Sequence, residues 1–228
     1  MMLAAFALGF AAPPAMVIGP DGTRLRPVDQ CFLIERGGQP IGATRQIGRS
    51  TVLDGRRVWD VVVHQKADAM HFDLRDHFVL MRRDLRPIAF DSRKNGVEDV
   101  RLTYRNGRVI GRKIGDKGAL AIDTPLPGPT WEGNLWGVTF GALPLRPGAK
   151  FTLPFFQYDQ GLGEFTLSTT GTETVQTPAG PVRAWVVDAG TDPTHRVTYL
   201  IDRKTGEELG TRAMGFETRL GGDCSALD

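Results

Sequence analysis

Residues 173–188, ETVQTPAGPVRAWVVD, place a turn of prolines and glycine between two runs of alternating character. Val182, Ala184 and Val186 alternate with Arg183, Trp185 and Val187. That period of two belongs to a β-strand with one face buried. Pro178 and Pro181 fix φ and remove backbone donors, while Gly180 is free to take a left-handed conformation. The stretch therefore reads as a hairpin, and its prolines oppose register slip and edge pairing.

The same unit recurs in both directions along the chain. Glu35-Arg36-Gly37-Gly38-Gln39 separates CFLI from PIGATRQIG, and Asp54-Gly55 separates STVL from RRVWDVVV. Asn95-Gly96 and Asn106-Gly107 supply the positive φ angles of a type I′ turn. Lys204-Thr205-Gly206 turns VTYLID into EELGTRAM. Between these turns Val100, Leu102 and Tyr104 alternate with Asp99, Arg101 and Thr103. Two places break the pattern. Residues 123–130, DTPLPGPT, carry three prolines and read as an irregular loop. Residues 131–143, WEGNLWGVTFGAL, space Trp131, Leu135, Val138 and Phe140 loosely as one short helix, against the weakening effect of three glycines. The remainder predicts a mainly β protein, a meander of about ten or eleven antiparallel strands. A single β-rich domain is expected over residues 16–228, with no repeat and no linker.

The bulk composition agrees with a folded domain. Of 228 residues, 41% are hydrophobic and 24% charged, the balance of a globular chain and not of a disordered one. A net charge of +2 implies no nucleic-acid partner. The arginines stand beside acids or turns, as on solvated strand faces; the alternative is a phosphate-binding patch. Residues 1–15, within MMLAAFALGFAAPPAM, have the length of a secretory signal's apolar region and are too short to span a bilayer. Cleavage is expected between Ala11 and Ala15, the alternative being a buried N-terminal segment. No lipobox precedes Cys31. A periplasmic or secreted location follows from this reading.

Cys31 opens the folded region and Cys224 lies near its end. In an oxidising compartment the two can bridge; the alternative is a pair of unrelated thiols. No Cys-x-x-Cys or Cys/His cluster calls for a metal, and neither a dinucleotide fingerprint nor a phosphate-binding loop is present, so no cofactor is expected. The densest set of polar candidates is residues 61–84. On a strand, His71, Asp73 and Arg75 would share one face, so that Asp73 could orient His71 as a base or the pair could ligate a metal. Arg75 would repel a cation there, and the face is the polar partner of an apolar stripe. Ser50, Ser92 and Ser168 stand in no nucleophile elbow. The chain reads as a non-enzyme, with a hydrolase at His71 and Asp73 as the minor alternative.

The aromatic residues carry more. Trp131, Trp136, Phe140, Phe151, Phe155, Phe156 and Tyr158 crowd one segment. They either plug the core or line an apolar cavity inside a curved sheet. On the second account the cavity residues are Trp131, Leu135, Trp136, Phe140, Phe155 and Phe156.

Taken in order, Pro40-Ile41-Gly42, the proline-rich middle, Leu145-Arg146-Pro147-Gly148, residues 173–180 and Tyr199-Leu200-Ile201-Asp202 form a pattern. It resembles the exported bacterial proteins grouped as domain of unknown function 3108, over about residues 30–216. That resemblance implies a half-barrel or β-spiral, one curved sheet around a short helix or loop, like the periplasmic lipoprotein carriers. It implies no catalytic residues. The functional expectation is an exported protein, not membrane-spanning, that binds a lipid or other hydrophobic small molecule. The alternative is an envelope protein that binds another protein and has a filled core.

Overall fold

The Asx-Gly turns form as their residues dictate. Asp54-Gly55, Asn95-Gly96 and Asn106-Gly107 each place both central residues at positive φ, between 49° and 77°. A computed structural model describes residues 19–115 and 118–227. The expected signal segment, residues 1–15, lies outside the described residues.

The described residues form fifteen strands, not ten or eleven. In chain order they are β1 (Val28–Arg36), β2 (Gln39–Leu53), β3 (Arg56–Ala67), β4 (Phe72–Met81), β5 (Pro87–Lys94), β6 (Val97–Arg105), β7 (Arg108–Gly115) and β8 (Gly118–Pro125). Then follow β9 (Trp131–Glu132), the helix α1 (Trp136–Gly141), β10 (Lys150–Gln157), β11 (Gly161–Thr177), β12 (Gly180–Gly190), β13 (Arg196–Asp202), β14 (Glu208–Ala213) and β15 (Phe216–Leu220). The surplus comes from short elements that counting alternation passes over. Met214-Gly215, at φ 46° and 81°, is an unmarked turn that cuts one apparent strand into β14 and β15. Residues 173–188 form the hairpin of β11 and β12, in which Thr177 pairs with Gly180.

All fifteen strands belong to one sheet, in the order β8-β7-β6-β5-β4-β3-β2-β1-β15-β14-β13-β12-β11-β10-β9. The chain starts at the centre, steps outward to one edge, reappears at the other edge and steps back. Every neighbouring pair is antiparallel except β9 with β10. Fourteen gaps of about 4.8 Å would make a flat sheet about 67 Å wide. Pro125 and Trp131 end β8 and begin β9, yet the chain between them can span only about 22 Å. The sheet must therefore roll until its edges approach. Side chains show the closure: Tyr104 of β6 meets the ring of Phe156 of β10 edge-on at 6.4 Å, and Lys113 of β7 pairs with Asp159 beyond β10.

The rolled sheet encloses one main core, drawn from both flanks and α1. The helix is shorter than expected, spanning Trp136–Gly141 instead of residues 131–143. Trp131 and Glu132 are recruited as a strand beside Phe155 and Phe156. Two glycines of α1 exist for close approach. A methyl group on Gly137 would overlap the Glu208 carboxylate, and one on Gly141 would overlap the Gly206 carbonyl oxygen. Near the centre of the sheet, Cys31 of β1 and Cys224 form a disulfide with Cα atoms 5.8 Å apart. Beside it the Gly221 amide donates to the Cys31 carbonyl, so the bond reinforces the β1–β15 seam.

Candidate functional site

The inward residues of β2 and β3 follow from the register. Thr44 lies opposite Phe32 and Gln65, and Gln46 lies opposite Gln30 and Val63. One strand along, Val63 pairs with Asp76, and Val61 with the fully buried Phe78. Polar residues thus occupy inward positions near the sheet's centre, where most inward positions elsewhere are apolar. Side chains that cannot interdigitate as hydrocarbon leave space.

That space is a cleft of about 290 Å³ between the β1–β3 flank and the β13–β15 flank, floored by α1 and the residues before it. Phe32, Val63, Leu135, Trp136, Val197 and Tyr199 supply its apolar wall. Thr44, Gln46, Gln65, Thr211, Thr218 and Glu208 supply its polar one. Two of the polar groups are conspicuous. The buried hydroxyl of Thr44 has no hydrogen-bond partner among the described residues. Burial pushes the Glu208 carboxyl up to about 7, and no hydrogen bond offsets that burial. No arginine, lysine or histidine lines this cleft.

The six aromatic and aliphatic residues singled out in the sequence are brought together, but only two reach the cleft. Leu135 and Trp136 line it, whereas Trp131, Phe140, Phe155 and Phe156 pack into the main core. Trp136 itself stacks on Phe165 at 4.1 Å and on Phe140 at 5.6 Å, with Phe155 edge-on at 5.5 Å. It is the floor of the cleft and the centre of an aromatic cluster at once. The sequence reading missed Phe32, Thr44, Gln46, Gln65, Val197, Tyr199 and Glu208. For Thr44, Gln46, Gln65 and Glu208 the signal was present as polar residues on strands whose partners alternate; Phe32, Val197 and Tyr199 read as ordinary strand residues.

A second polar group lies inside the core. Asp76 is pushed up to about 6 by burial, against which the cross-strand Ser92 hydroxyl acts, and the buried Tyr104 hydroxyl has no hydrogen-bond partner among the described residues. Glu132 is buried and raised to about 8, although its carboxyl accepts from the backbone and side-chain nitrogens of Asn134 at 2.6 and 3.1 Å.

His71 and Asp73 do not share a strand face. His71 sits in a left-handed turn at φ 50° before β4 begins, and Asp73 instead meets His64 of β3 at 3.0 Å. The turn that ends the short 3₁₀ segment Asp68–Met70 removes His71 from the strand alternation assumed for it. Among the described residues no group of three or more His, Cys, Asp or Glu is placed to hold a metal ion.

A rolled antiparallel sheet closing on a short helix, with a cleft on its concave side, defines a β-barrel-like fold. The model of the family described as "Protein of unknown function (DUF3108)" matches residues 31–218, and the chain belongs to that family. Among solved structures it is similar to a β-barrel-like protein of domain of unknown function DUF1849 from Brucella abortus. That protein is 12% identical, with 86% of this chain and 95% of that chain covered, at a TM-score of 0.50. A further similar structure is the hypothetical lipoprotein YmcC from Escherichia coli, 14% identical over 86% of this chain and 85% of that chain, at a TM-score of 0.30. No curated protein matches the chain. The likeness to the Brucella protein is one of fold. Among the described residues no helix is long and apolar enough to cross a membrane.

Proposed function

We propose that this is an exported, non-enzymatic protein that holds a small hydrophobic or amphiphilic molecule in its concave cleft. The observation that carries the reading is the cleft itself. It is about 290 Å³, close to the lower bound of small-molecule sites, and its two walls, one apolar and one polar, suit a molecule with a hydrocarbon part and a polar head. Export is supported by the Cys31–Cys224 disulfide, a bond that persists in oxidising compartments. A ligand burying eight methylenes would gain roughly 6 kcal/mol gross, part of which is spent on lost freedom.

The test is native mass spectrometry of protein purified from its own cell envelope, followed by solvent extraction and identification of any bound molecule. A stoichiometric apolar adduct is the expected result. Trp136→Ala is a poor probe, because removing a core tryptophan costs about 3–5 kcal/mol of stability. Val197 lines the cleft and is only half-buried, so Val197→Trp should fill the cleft from its wall. The variant is expected to melt near the parent temperature and to bind a ten-carbon alcohol at least about tenfold more weakly, a loss of about 1.4 kcal/mol. Unchanged affinity would place the ligand elsewhere.

A further inference from the structure

Glu208 is the charged residue of the cleft, and its setting is unusual in three respects. Its side chain occupies the space left by Gly137, where any methyl group would overlap the carboxylate. Its carboxyl has no hydrogen-bond donor among the described residues; the amide of Gln30 donates to its backbone oxygen instead, at 3.3 Å. No cation lines the cleft beside it. Arg26 lines a smaller adjoining space of about 30 Å³, but its charge acts on Glu207. A part-buried carboxylate without donors or counter-charge is costly to keep ionised. The burial that lifts its titration to about 7 is the same cost expressed in protons. Glu132, a buried carboxylate elsewhere in the core, has Asn134 as its donor. Glu208 faces the cleft without one.

Resting on the ligand-binding reading above, we propose that the cleft selects amphiphiles carrying a cationic amine head group, with Glu208 as the counter-charge. An anionic head group would meet an uncompensated carboxylate and a site with no basic residue. A neutral hydroxyl would gain one hydrogen bond. An ammonium would gain a charge-assisted bond to Glu208, and its further donors match acceptors in the same cleft, the unpartnered Thr44 hydroxyl and the Gln46 and Gln65 amides. The apolar wall of Phe32, Val63, Trp136 and Val197 receives the tail.

Calorimetric titration of the full chain at pH 8 with decylamine, decanol and decanoate tests this. Decylamine is expected to bind at least about tenfold more tightly than decanol, as a charge-assisted bond provides, and decanoate most weakly. In Glu208→Gln the preference for the amine over the alcohol should vanish. Equal affinity for amine and alcohol in the parent, or a preference that survives in Glu208→Gln, would overturn the assignment. The ranking in the parent needs no variant to fold. If decanol binds without any preference for the amine, only this inference fails. If none of the three binds, the ligand-binding reading fails with it.

Discussion

His77 shows how much chemistry a single residue acquires from strand register. Its Nδ1 lies 2.9 Å from Asp91 Oδ2 on β5, and its Nε2 lies 3.1 Å from Asp60 Oδ1 on β3. A neutral imidazole has one N–H, whereas two carboxylates demand two donors, so the imidazolium is the form that satisfies both. The hydrogen bond to Asp91 accordingly raises the His77 pKa, helped by the Asp60 charge and opposed by partial burial. A raised folded-state value means that the stabilisation is fully present below the unfolded value of about 6.5. It is lost as pH rises through the folded value. The buried carboxyls of Asp76 and Glu132 act with the same sign, because the folded chain holds their protons to higher pH than the unfolded chain does. Urea unfolding at pH 6 and pH 8.5 should therefore show lower stability at the higher pH, with a smaller loss in His77→Gln. Equal losses in parent and variant would mean that the ring is not the proton-binding group. His77 itself is visible in the sequence among residues 61–84. Its two acids are not, since Asp60 and Asp91 reach it only through the pairing of three strands.

At the scale of elements, α1 is a helix that its own propensity does little to support. Six residues form fewer than two turns, well below the length at which a helix is stable alone. Two of the six are glycines, which cost about 1 kcal/mol each relative to alanine. Packing decides instead. Gly137 and Gly141, four apart, lie on one face and let the helix settle onto the β13–β14 hairpin, against Glu208 and the Gly206 carbonyl. Gly141→Ala should raise helix propensity yet lower stability by about 1–3 kcal/mol, because the methyl meets backbone that cannot move aside cheaply. The urea midpoint measures it, and a stabilised variant would show that the contact relaxes. The glycines were legible as an obstacle to a helix in residues 131–143. Their purpose became visible only with the hairpin against them. The same holds for Trp131 and Glu132, whose strand exists because β10 offers an edge.

Across the whole molecule, one covalent link and one topological choice govern the rest. The first and last strands pair at the centre of the sheet, and both sheet edges fall in mid-chain, joined by residues 126–130. The Cys31–Cys224 bond closes a loop with 193 residues of separation, so loop-closure entropy assigns it up to about 5 kcal/mol. It also staples the seam that every other strand is built outward from. The Cys31→Ser, Cys224→Ser double variant should unfold at a lower urea midpoint, with a stability loss of at most about 5 kcal/mol. A loss below about 0.5 kcal/mol would show that the β1–β15 pairing holds without it.

The sequence by itself determined the β class, the hairpin rhythm and the type I′ turns, and for the two cysteines it offered a bridge or unrelated thiols. Each of these rests on local rules: a period of two, positive φ at Asx-Gly, and proline at strand ends. Tertiary structure alone decided the roll of the sheet, the count of its shortest strands, the division of the aromatic cluster between core and cleft floor, and the isolation of Glu208. Those features depend on which distant strands face one another. Residues 32, 44, 65, 197 and 208 are far apart in the chain, and they line one cleft because a short connection draws the two sheet edges together.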